Sequence, residues 1–260
     1  MRASDQDAVT ARRGHVSTII FGVNPVLEVL RASPHTVERI VIADGALNKS
    51  VSGEILERAK EAKVKVDRSD RERVNRLAEG GVHQGVIAEV RDFEYIGLAE
   101  LIQKAKASGR QPLLVLLDGI QDPHNLGAII RSAHAFGAQG VVIMKDRAVG
   151  VTAVAVKSSA GATAHCQVAR VTNLSRAIDE LKEAGFWTVA ADPEGDQLAW
   201  GAKLTGPLAV IVGAEGAGVR KGVLGHADFK VRIPMAGQVA SLNASVSAGV
   251  LLYEIARQRG

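Results

Sequence analysis

Cysteine, aromatic residues and long apolar segments are scarce in this sequence of 260 residues. The single cysteine, Cys166, excludes an intramolecular disulfide and a metal site built from several cysteines, and it is typical of a reducing compartment. No apolar run reaches the roughly eighteen residues of a membrane span. Asp5 and Asp7 interrupt the start of the chain, where a signal peptide needs an apolar core. The sequence therefore predicts a cytoplasmic protein without a membrane segment.

The low aromatic content also limits how the protein would bind nucleic acid. Aromatic residues make up 3% of the chain, which argues against a stacking platform of the kind that reads single strands. The formal net charge is +4 and the isoelectric point is 9.3, a modest positive bias that permits RNA binding without requiring it. If RNA is the partner, we expect backbone contacts and shape to matter more than stacked bases.

Hydrophobic residues make up 47% of the chain, and Ala, Val, Leu and Gly dominate, which favours an α/β fold. In the second half, apolar runs of strand length alternate with helical patterns over 126–136 and 174–184. These runs lie at 113–117, 141–144, 187–191, 208–212 and 229–233. The alternation predicts a parallel sheet covered by helices on both faces, with ligands bound at the carboxyl ends of the strands.

The first part of the chain has a different organisation. Residues 1–15 are polar and without periodicity, and we interpret them as a flexible arm. Residues 16–90 alternate short strand and helix patterns and predict a small α/β domain. Residues 91–112 are polar, with one short amphipathic helix, and are interpreted as a linker to a second domain at 113–260.

Three segments of the second domain follow predicted strands and carry polar or glycine residues. Residues 117–131 lead into a helix that holds Arg131 outside its apolar arc, although a lone helical arginine is usually just solvated. Residues 211–220 contain three glycines that permit tight turns, without the spacing of a dinucleotide fingerprint. Residues 233–249 contain an almost uncharged loop and the small-residue start of an apolar helix, which suits a neutral ligand such as adenosine or simply close helix packing.

Together these segments resemble a known family. The patterns N-x-G-x-x-x-R at 125–131, G-x-E-x-x-G at 213–218 and S-L-N-x-S at 241–245 resemble, in order and spacing, the three motifs of the SpoU branch of the SPOUT methyltransferases. The run K-S-S-A-G-A at 157–162 is similar to the family's segment between the first two motifs. The resemblance covers residues 113–260.

The first domain resembles the small L30e-like RNA substrate-binding domain of several family members, on the weaker signals F-G-V-N-P-V at 21–26 and H-Q-G at 83–85. The resemblance implies a SPOUT domain with a deep trefoil knot, a homodimer, and S-adenosylmethionine as cofactor. Among members, the chain is most similar to those that methylate a guanosine ribose 2′-hydroxyl in the peptidyl-transferase region of 23S ribosomal RNA.

The resemblance also assigns site residues. It implies a reaction centre around Arg131, which would hold a substrate phosphate and stabilise developing negative charge on the ribose oxygen. Whether Arg131 also takes the proton stays open, because a guanidinium is a weak base. The other reaction-centre residues are Asn125, Glu215, Asn243 and Ser245. The cofactor-binding residues are Gly213, Ala214, Ile233, Met235, Ser241 and Leu242.

Other interpretations fit the same sequence. The same chemistry on transfer RNA is the nearest alternative, and a catalytically silent RNA-binding assembly factor is another. A nicotinamide-dependent reductase fits the α/β pattern but lacks the dinucleotide fingerprint. His124 suits either an RNA contact or a structural loop role, and its spacing from His134 does not make a metal pair; we predict no bound metal.

Overall fold

The computed structural model describes residues 17–79, 81–238 and 241–260. The chain divides into two compact units, Met1–Phe93 and Glu94–Gly260. The arm expected at residues 1–15, and residue 16 at the expected start of the first domain, lie outside the described residues.

In its described residues the first unit contains a four-stranded mixed sheet and helices. In sheet order its strands are β1, β4, β2 and β3; β2 and β3 pair in parallel and the other pairs are antiparallel. Its elements are β1 (Ser17–Phe21), α1 (Val23–Ala32), β2 (Val37–Ala43), α2 (Lys49–Glu61), β3 (Lys65–Ser69), α3 (Arg71–Leu77) and β4 (Val86–Arg91).

Local sequence explains most of these elements. Strand β2 ends in four buried residues and lies inside the sheet, whereas β3 is a charged edge strand with no fully buried residue. The pattern of β3 carries no apolar periodicity, and the sequence analysis did not predict it. Helices α2 and α3 begin at Asn48 and Asp70, whose side chains accept hydrogen bonds from the backbone N–H groups of Val51 and Arg73.

The second unit is built on a parallel sheet. Its elements are α4 (Leu98–Ala107), β5 (Leu113–Asp118), α5 (Pro123–Ala135), β6 (Gly140–Met144), α6 (Ala153–Ser158), β7 (Gln167–Val171), α7 (Leu174–Glu183), β8 (Trp187–Ala191), β9 (Gln197–Leu198), β10 (Leu208–Gly213), α8 (Lys221–Leu224), β11 (Phe229–Arg232) and α9 (Ala244–Arg259). In the described part of the chain the sheet has seven strands in the order β7-β6-β5-β10-β8-β11-β9, all paired in parallel. The predicted α/β class with a parallel sheet is confirmed.

Burial explains the two central strands. Every residue of β5 and β10 is buried, as expected of parallel strands covered on both faces. Leu114, Leu116 and Ile211 pack into a core with α4 and α7, and alternate residues of these strands point to the opposite face. Helix α9 packs against α5 and contacts β10. Strand β10 lies between β5 and β8, so the order of connections reverses beside β5, where α/β folds bind ligands.

Residues 91–112 differ from the expected linker. Glu94 and the residues after it belong to the second unit. The backbone N–H of Ile96 donates to the carbonyl of Val168, 3.0 Å away, and Leu101 of α4 is completely buried in the core of that unit. The amphipathic pattern of α4 is therefore a packing face, and its polar residues are the solvated side of a helix on the sheet.

Candidate functional site

A cleft opens at the carboxyl ends of β8, β10 and β11, with an empty volume of about 690 Å³ including its open mouth. Its wall contains all six residues that the sequence analysis assigned to the cofactor. They are Gly213, Ala214, Ile233, Met235, Ser241 and Leu242. We call this the cofactor cleft.

The wall formed by residues 213–219 depends on glycine. A Cβ atom on Gly213 would lie 2.0 Å from the carbonyl carbon of Gly218. The loop folds back so closely because the backbone N–H of Gly218 donates to the carbonyl of Ala214 over 2.8 Å. Gly218 itself has φ of 65°, a conformation that residues with a side chain rarely adopt. The three glycines therefore shape a thin backbone wall.

The chemistry of the lining fits S-adenosylmethionine. Among the described residues of the cleft none is Lys or Arg, and its carboxylates are those of Asp192 and Glu215. Val231, Ile233 and Leu242 add apolar surface for a flat ring. Apolar surface and exposed backbone suit an adenosine, and carboxylates without a cationic competitor suit a ligand that carries a sulfonium.

Asn243 connects the start of α9 to the loop that follows β10. Its side-chain N–H donates to Glu215 Oε2 over 3.0 Å, and its Oδ1 accepts from the backbone N–H of Ser245 at 2.8 Å and from Ser245 Oγ at 2.6 Å. Asn243 therefore begins α9 as its N-cap while fixing the carboxylate of Glu215. The structure brings these three residues together.

A second, polar cleft shares Ala214, Glu215 and Gly218 with the cofactor cleft and has an empty volume of about 1160 Å³ including its mouth. Asn125, near the start of α5, lies in its wall. We call this the polar cleft. Three of the five expected reaction-centre residues thus lie in the polar cleft or are hydrogen-bonded to a residue that does. They are Asn125, Glu215 and Asn243, and Ser245 is in turn hydrogen-bonded to Asn243.

Within one chain, Arg131 lies away from the clefts that hold the other expected site residues. It is exposed on α5, lines neither cleft, and makes no hydrogen bond or ion pair with the part of the chain that the structure describes. Helix α5 buries Leu126, Ile129 and Ile130, so Arg131 points away from the core as the helical period predicts.

Sequence reasoning missed the ion pair of Asp118 and Arg220. The side chain of Asp118 is completely inaccessible, and it accepts from Arg220 Nε and from the backbone N–H of Arg220, both over 2.8 Å. This partner raises the pKa of Arg220. An aspartate at the end of an apolar strand was the available signal, because a buried carboxylate requires a cationic partner.

The loops after β5, β6 and β8 also contribute residues that the sequence analysis did not single out. Gln121, Asp122 and Arg147 line the polar cleft, and Asp192 and Pro193 line the cofactor cleft. Each follows a strand of the parallel sheet, so the rule that ligands bind at carboxyl strand ends was the signal that could have found them.

Two of the histidines make side-chain contacts within the fold. His124 lies in the first turn of α5, with Nδ1 3.1 Å from Ser158 Oγ, and His83 is buried with Nε2 2.6 Å from Asn75 Oδ1. Within the described residues, no group of three or more His, Cys, Asp or Glu is arranged to hold a metal ion. The same residues include no helix long and apolar enough to cross a membrane.

Comparison with known proteins assigns both units. The model of the SpoU rRNA methylase family matches residues 112–253, and the model of the RNA 2′-O ribose methyltransferase substrate-binding domain matches residues 19–96. These matches confirm the resemblance that the three motifs carry.

Curated relatives extend over nearly the whole chain. The putative TrmH family tRNA/rRNA methyltransferase YacO of Bacillus subtilis is 40% identical over 240 residues, covering 92% of this chain and 95% of the relative. The 23S rRNA (guanosine-2′-O-)-methyltransferase RlmB of Coxiella burnetii is 40% identical with the same coverage of both chains.

Two solved structures are similar to this chain over most of its length. The SpoU methyltransferase AviRb of Streptomyces viridochromogenes, in complex with AdoMet, is 26% identical with a TM-score of 0.61, covering 94% of this chain and 90% of that one. An RNA 2′-O ribose methyltransferase is 31% identical with a TM-score of 0.58, covering 94% of this chain and 89% of that one. Because a family model matches more than half of the chain and relatives match almost all of it, this chain belongs to the SpoU rRNA methylase family.

Proposed function

We propose that this protein methylates the 2′-hydroxyl of a guanosine ribose in the peptidyl-transferase region of 23S ribosomal RNA, in the cytoplasm. Membership of the family makes it an RNA methyltransferase with S-adenosylmethionine as methyl donor. The observation that supports the site best is the shared wall: Ala214, Glu215 and Gly218 border both the cofactor cleft and the polar cleft. Two adjacent clefts are what a transfer between cofactor and nucleotide requires.

Different residues of this chain would bind the cofactor, orient the ribose and hold its hydroxyl. Bound in the cofactor cleft, S-adenosylmethionine supplies an electrophilic methyl group on a cationic sulfur. The carboxylate of Glu215, fixed by Asn243, would orient the ribose beside that cleft. Asn125 and Ser245 would hold the hydroxyl from the two neighbouring helix starts. Such positioning lowers the barrier because the reacting oxygen must lie in line with the methyl group.

The role assigned to Arg131 supports a homodimer. Within one chain Arg131 lies outside both clefts, so a second copy is a natural route by which it reaches a reaction centre. Helix α9 exposes Val246, Val250 and Tyr253, which lie on one face at helical spacing, and the Tyr253 ring packs edge-on against Phe136 next to α5. An apolar stripe of this kind is typical of a surface that another helix covers.

RNA binding by the first unit is supported by a group of exposed arginines around α3. The family model for its substrate-binding role matches residues 19–96. Arg68, Arg71, Arg73 and Arg76 are all exposed around α3. Exposed arginines contact phosphates, and binding that depends on them weakens as the salt concentration rises. We infer that this L30e-like unit holds the RNA through its backbone.

The trefoil knot remains part of the proposal. Strand β10 lies between β5 and β8 in the sheet, and the segment before α9 returns to the loop after β10 through the contact of Asn243 with Glu215. We propose that the chain threads through its own loops near this contact, an arrangement that is rare in proteins.

Methyl incorporation tests the function directly. The purified protein is incubated with labelled S-adenosylmethionine and either a 23S ribosomal RNA transcript or transfer RNA, and the modified nucleotide is mapped. We expect 2′-O-methylguanosine in the ribosomal transcript alone. Modification of transfer RNA alone would contradict the substrate. Absence of methylation in the transcripts and in immature ribosomal particles, despite cofactor binding, would support a silent RNA-binding factor instead.

A further inference from the structure

The polar cleft contains hydrogen-bonding groups that the folded chain leaves unused. Asp122 is the N-cap of α5, and its Oδ1 accepts from the backbone N–H of His124 over 2.9 Å. Its Oδ2 has no partner in the described residues. The side chains of Gln121 and Arg147 line the same cleft and make no hydrogen bond or ion pair to the part of the chain that the structure describes. One acceptor and one cationic donor therefore belong to residues that line the same cleft.

Contacts of the surrounding loop hold the backbone near Arg147 in place. Its backbone has φ of 57°, which costs a residue with a side chain about 1 kcal/mol. Two contacts maintain the loop: the backbone N–H of Val149 donates to the carbonyl of Ile120 over 2.9 Å, and that of Val151 donates to Tyr95 Oη over 2.8 Å. The first contact joins the loop of Arg147 to the loop of Gln121 and Asp122.

The rest of the lining suits a flat ring. Ile120 and Met144 are buried and contribute apolar surface to the polar cleft. Arg220 is anchored by Asp118, and its side chain is 46% exposed, so the planar guanidinium presents surface to the cleft. Guanidinium planes and apolar side chains hold nucleobases that have left a stack.

We propose that the polar cleft binds the base of the target guanosine, with Asp122 accepting from N1–H and the 2-amino group and Arg147 donating to O6. This inference rests on the proposed function. Guanine presents two donors beside one acceptor on this edge, which matches a carboxylate beside a guanidinium. Adenine presents an amino donor where Arg147 requires an acceptor, and an unprotonated N1 where Asp122 requires a donor. The base-reading residues thus lie outside the wall that the polar cleft shares with the cofactor cleft.

An almost isosteric substitution of Asp122 tests the proposed base pocket. In Asp122→Asn, Oδ1 still accepts from the backbone of His124, and asparagine is as good an N-cap as aspartate, so α5 is retained. The free atom changes from an acceptor to a donor. Inosine lacks only the 2-amino group of guanosine and is the matched substrate change.

Transfer rates are measured for the full-length protein on 23S transcripts that carry guanosine, inosine or adenosine at the mapped nucleotide. For the unmodified protein we expect kcat/KM to fall by about tenfold or more from guanosine to inosine, since one hydrogen bond to a carboxylate is lost. In Asp122→Asn we expect the guanosine rate to fall and the guanosine-to-inosine ratio to approach about one. In Arg147→Ala we expect the ratio of guanosine to adenosine to fall by about tenfold.

The matched control is Asp146→Asn, which removes a neighbouring carboxylate that does not line the polar cleft; its base ratios are expected to equal those of the unmodified protein. Equal rates on guanosine and inosine for the unmodified protein would overturn the base pocket while leaving the proposed function intact. The same conclusion follows if Asp122→Asn keeps the original ratio. Absence of transfer to every transcript and to immature ribosomal particles would overturn the proposed function, and the base pocket with it.

Discussion

Asp118 and Arg220 lie 102 residues apart in the chain and form an ion pair between Oδ1 and Nη2 of 2.6 Å. Asp118 ends β5, and Arg220 follows the glycine loop after β10, the strand paired with β5. The backbone N–H of Arg220 also donates to Asp118, so the carboxylate fixes both the side chain and the end of the loop. This pair sets one boundary of the polar cleft.

Removal of Arg220 should destabilise the second unit strongly. Arg220→Ala leaves the inaccessible carboxylate of Asp118 without its charged partner, and we expect a loss of about 3 kcal/mol in the free energy of unfolding. Urea unfolding measures the loss. Arg176→Ala is the control, because the pair of Arg176 with Glu180 is exposed and contributes less than about 0.5 kcal/mol. Equal losses in both variants would contradict the assigned role.

The contact between Asn243 and Glu215 should be needed for turnover but not for folding. Asn243→Asp keeps the Oδ1 atom that caps α9 and replaces the donor to Glu215 by a repelling oxygen. We expect methyl transfer to fall at least about tenfold, with thermal unfolding almost unchanged. Asn48→Asp makes the same change at the start of α2, in the first unit, and should leave the rate as it is. A normal rate in Asn243→Asp would remove Glu215 from the proposed reaction centre.

Arg131 should act on the substrate and not on the cofactor. Arg131→Ala is expected to reduce methyl transfer at least about 100-fold, because a charge that stabilises the developing oxyanion is lost. Calorimetric titration with S-adenosylmethionine should give an affinity within about twofold of the unmodified protein, because Arg131 does not line the cofactor cleft. Unchanged turnover would exclude Arg131 from the reaction.

Gly213 should be required for the wall of the cofactor cleft. In Gly213→Ala the new Cβ would lie 2.0 Å from backbone of Gly218, so the loop must move away from β10. We expect the affinity for S-adenosylmethionine to fall at least about tenfold. Gly222→Ala in α8 is the control, since a Cβ there meets no atom within 4 Å. Wild-type affinity in Gly213→Ala would contradict the contact of this wall with the cofactor.

The lowered pKa of Glu254 predicts that the stability of the fold changes with pH in the acid range. Hydrogen bonds from Arg257 and Gln258 lower the pKa of Glu254 from its ordinary 4.5 to about 2. A lowered pKa stabilises the fold when the carboxylate is ionised, and this contribution is lost as the pH falls from about 4.5 towards 2. The difference in unfolding free energy between the unmodified protein and Glu254→Gln should therefore be constant above pH 5 or so and shrink below it. A difference that does not change with pH would contradict the assignment.

Much of the second unit followed from local sequence, because its central strands and long helices have strong periodic patterns. The apolar runs at 113–117 and 208–212 became the fully buried strands β5 and β10. Strands β3, β7 and β9 were not predicted, and each lies at an edge of its sheet. Edge strands need less apolar surface, so their sequences differ little from those of loops.

The sequence by itself determined the α/β class and the motifs that identify the family, because burial periodicity and the order of glycines, Arg131, Glu215 and Asn243 are properties of a linear chain. Only the tertiary structure decided that α4 packs on the sheet, that Asp118 meets Arg220, and that Arg131 lies away from both clefts. Those relationships depend on the placement of β10 between β5 and β8 and on the direction in which α5 buries its apolar face. Contacts between distant residues follow from such packing and not from local periodicity.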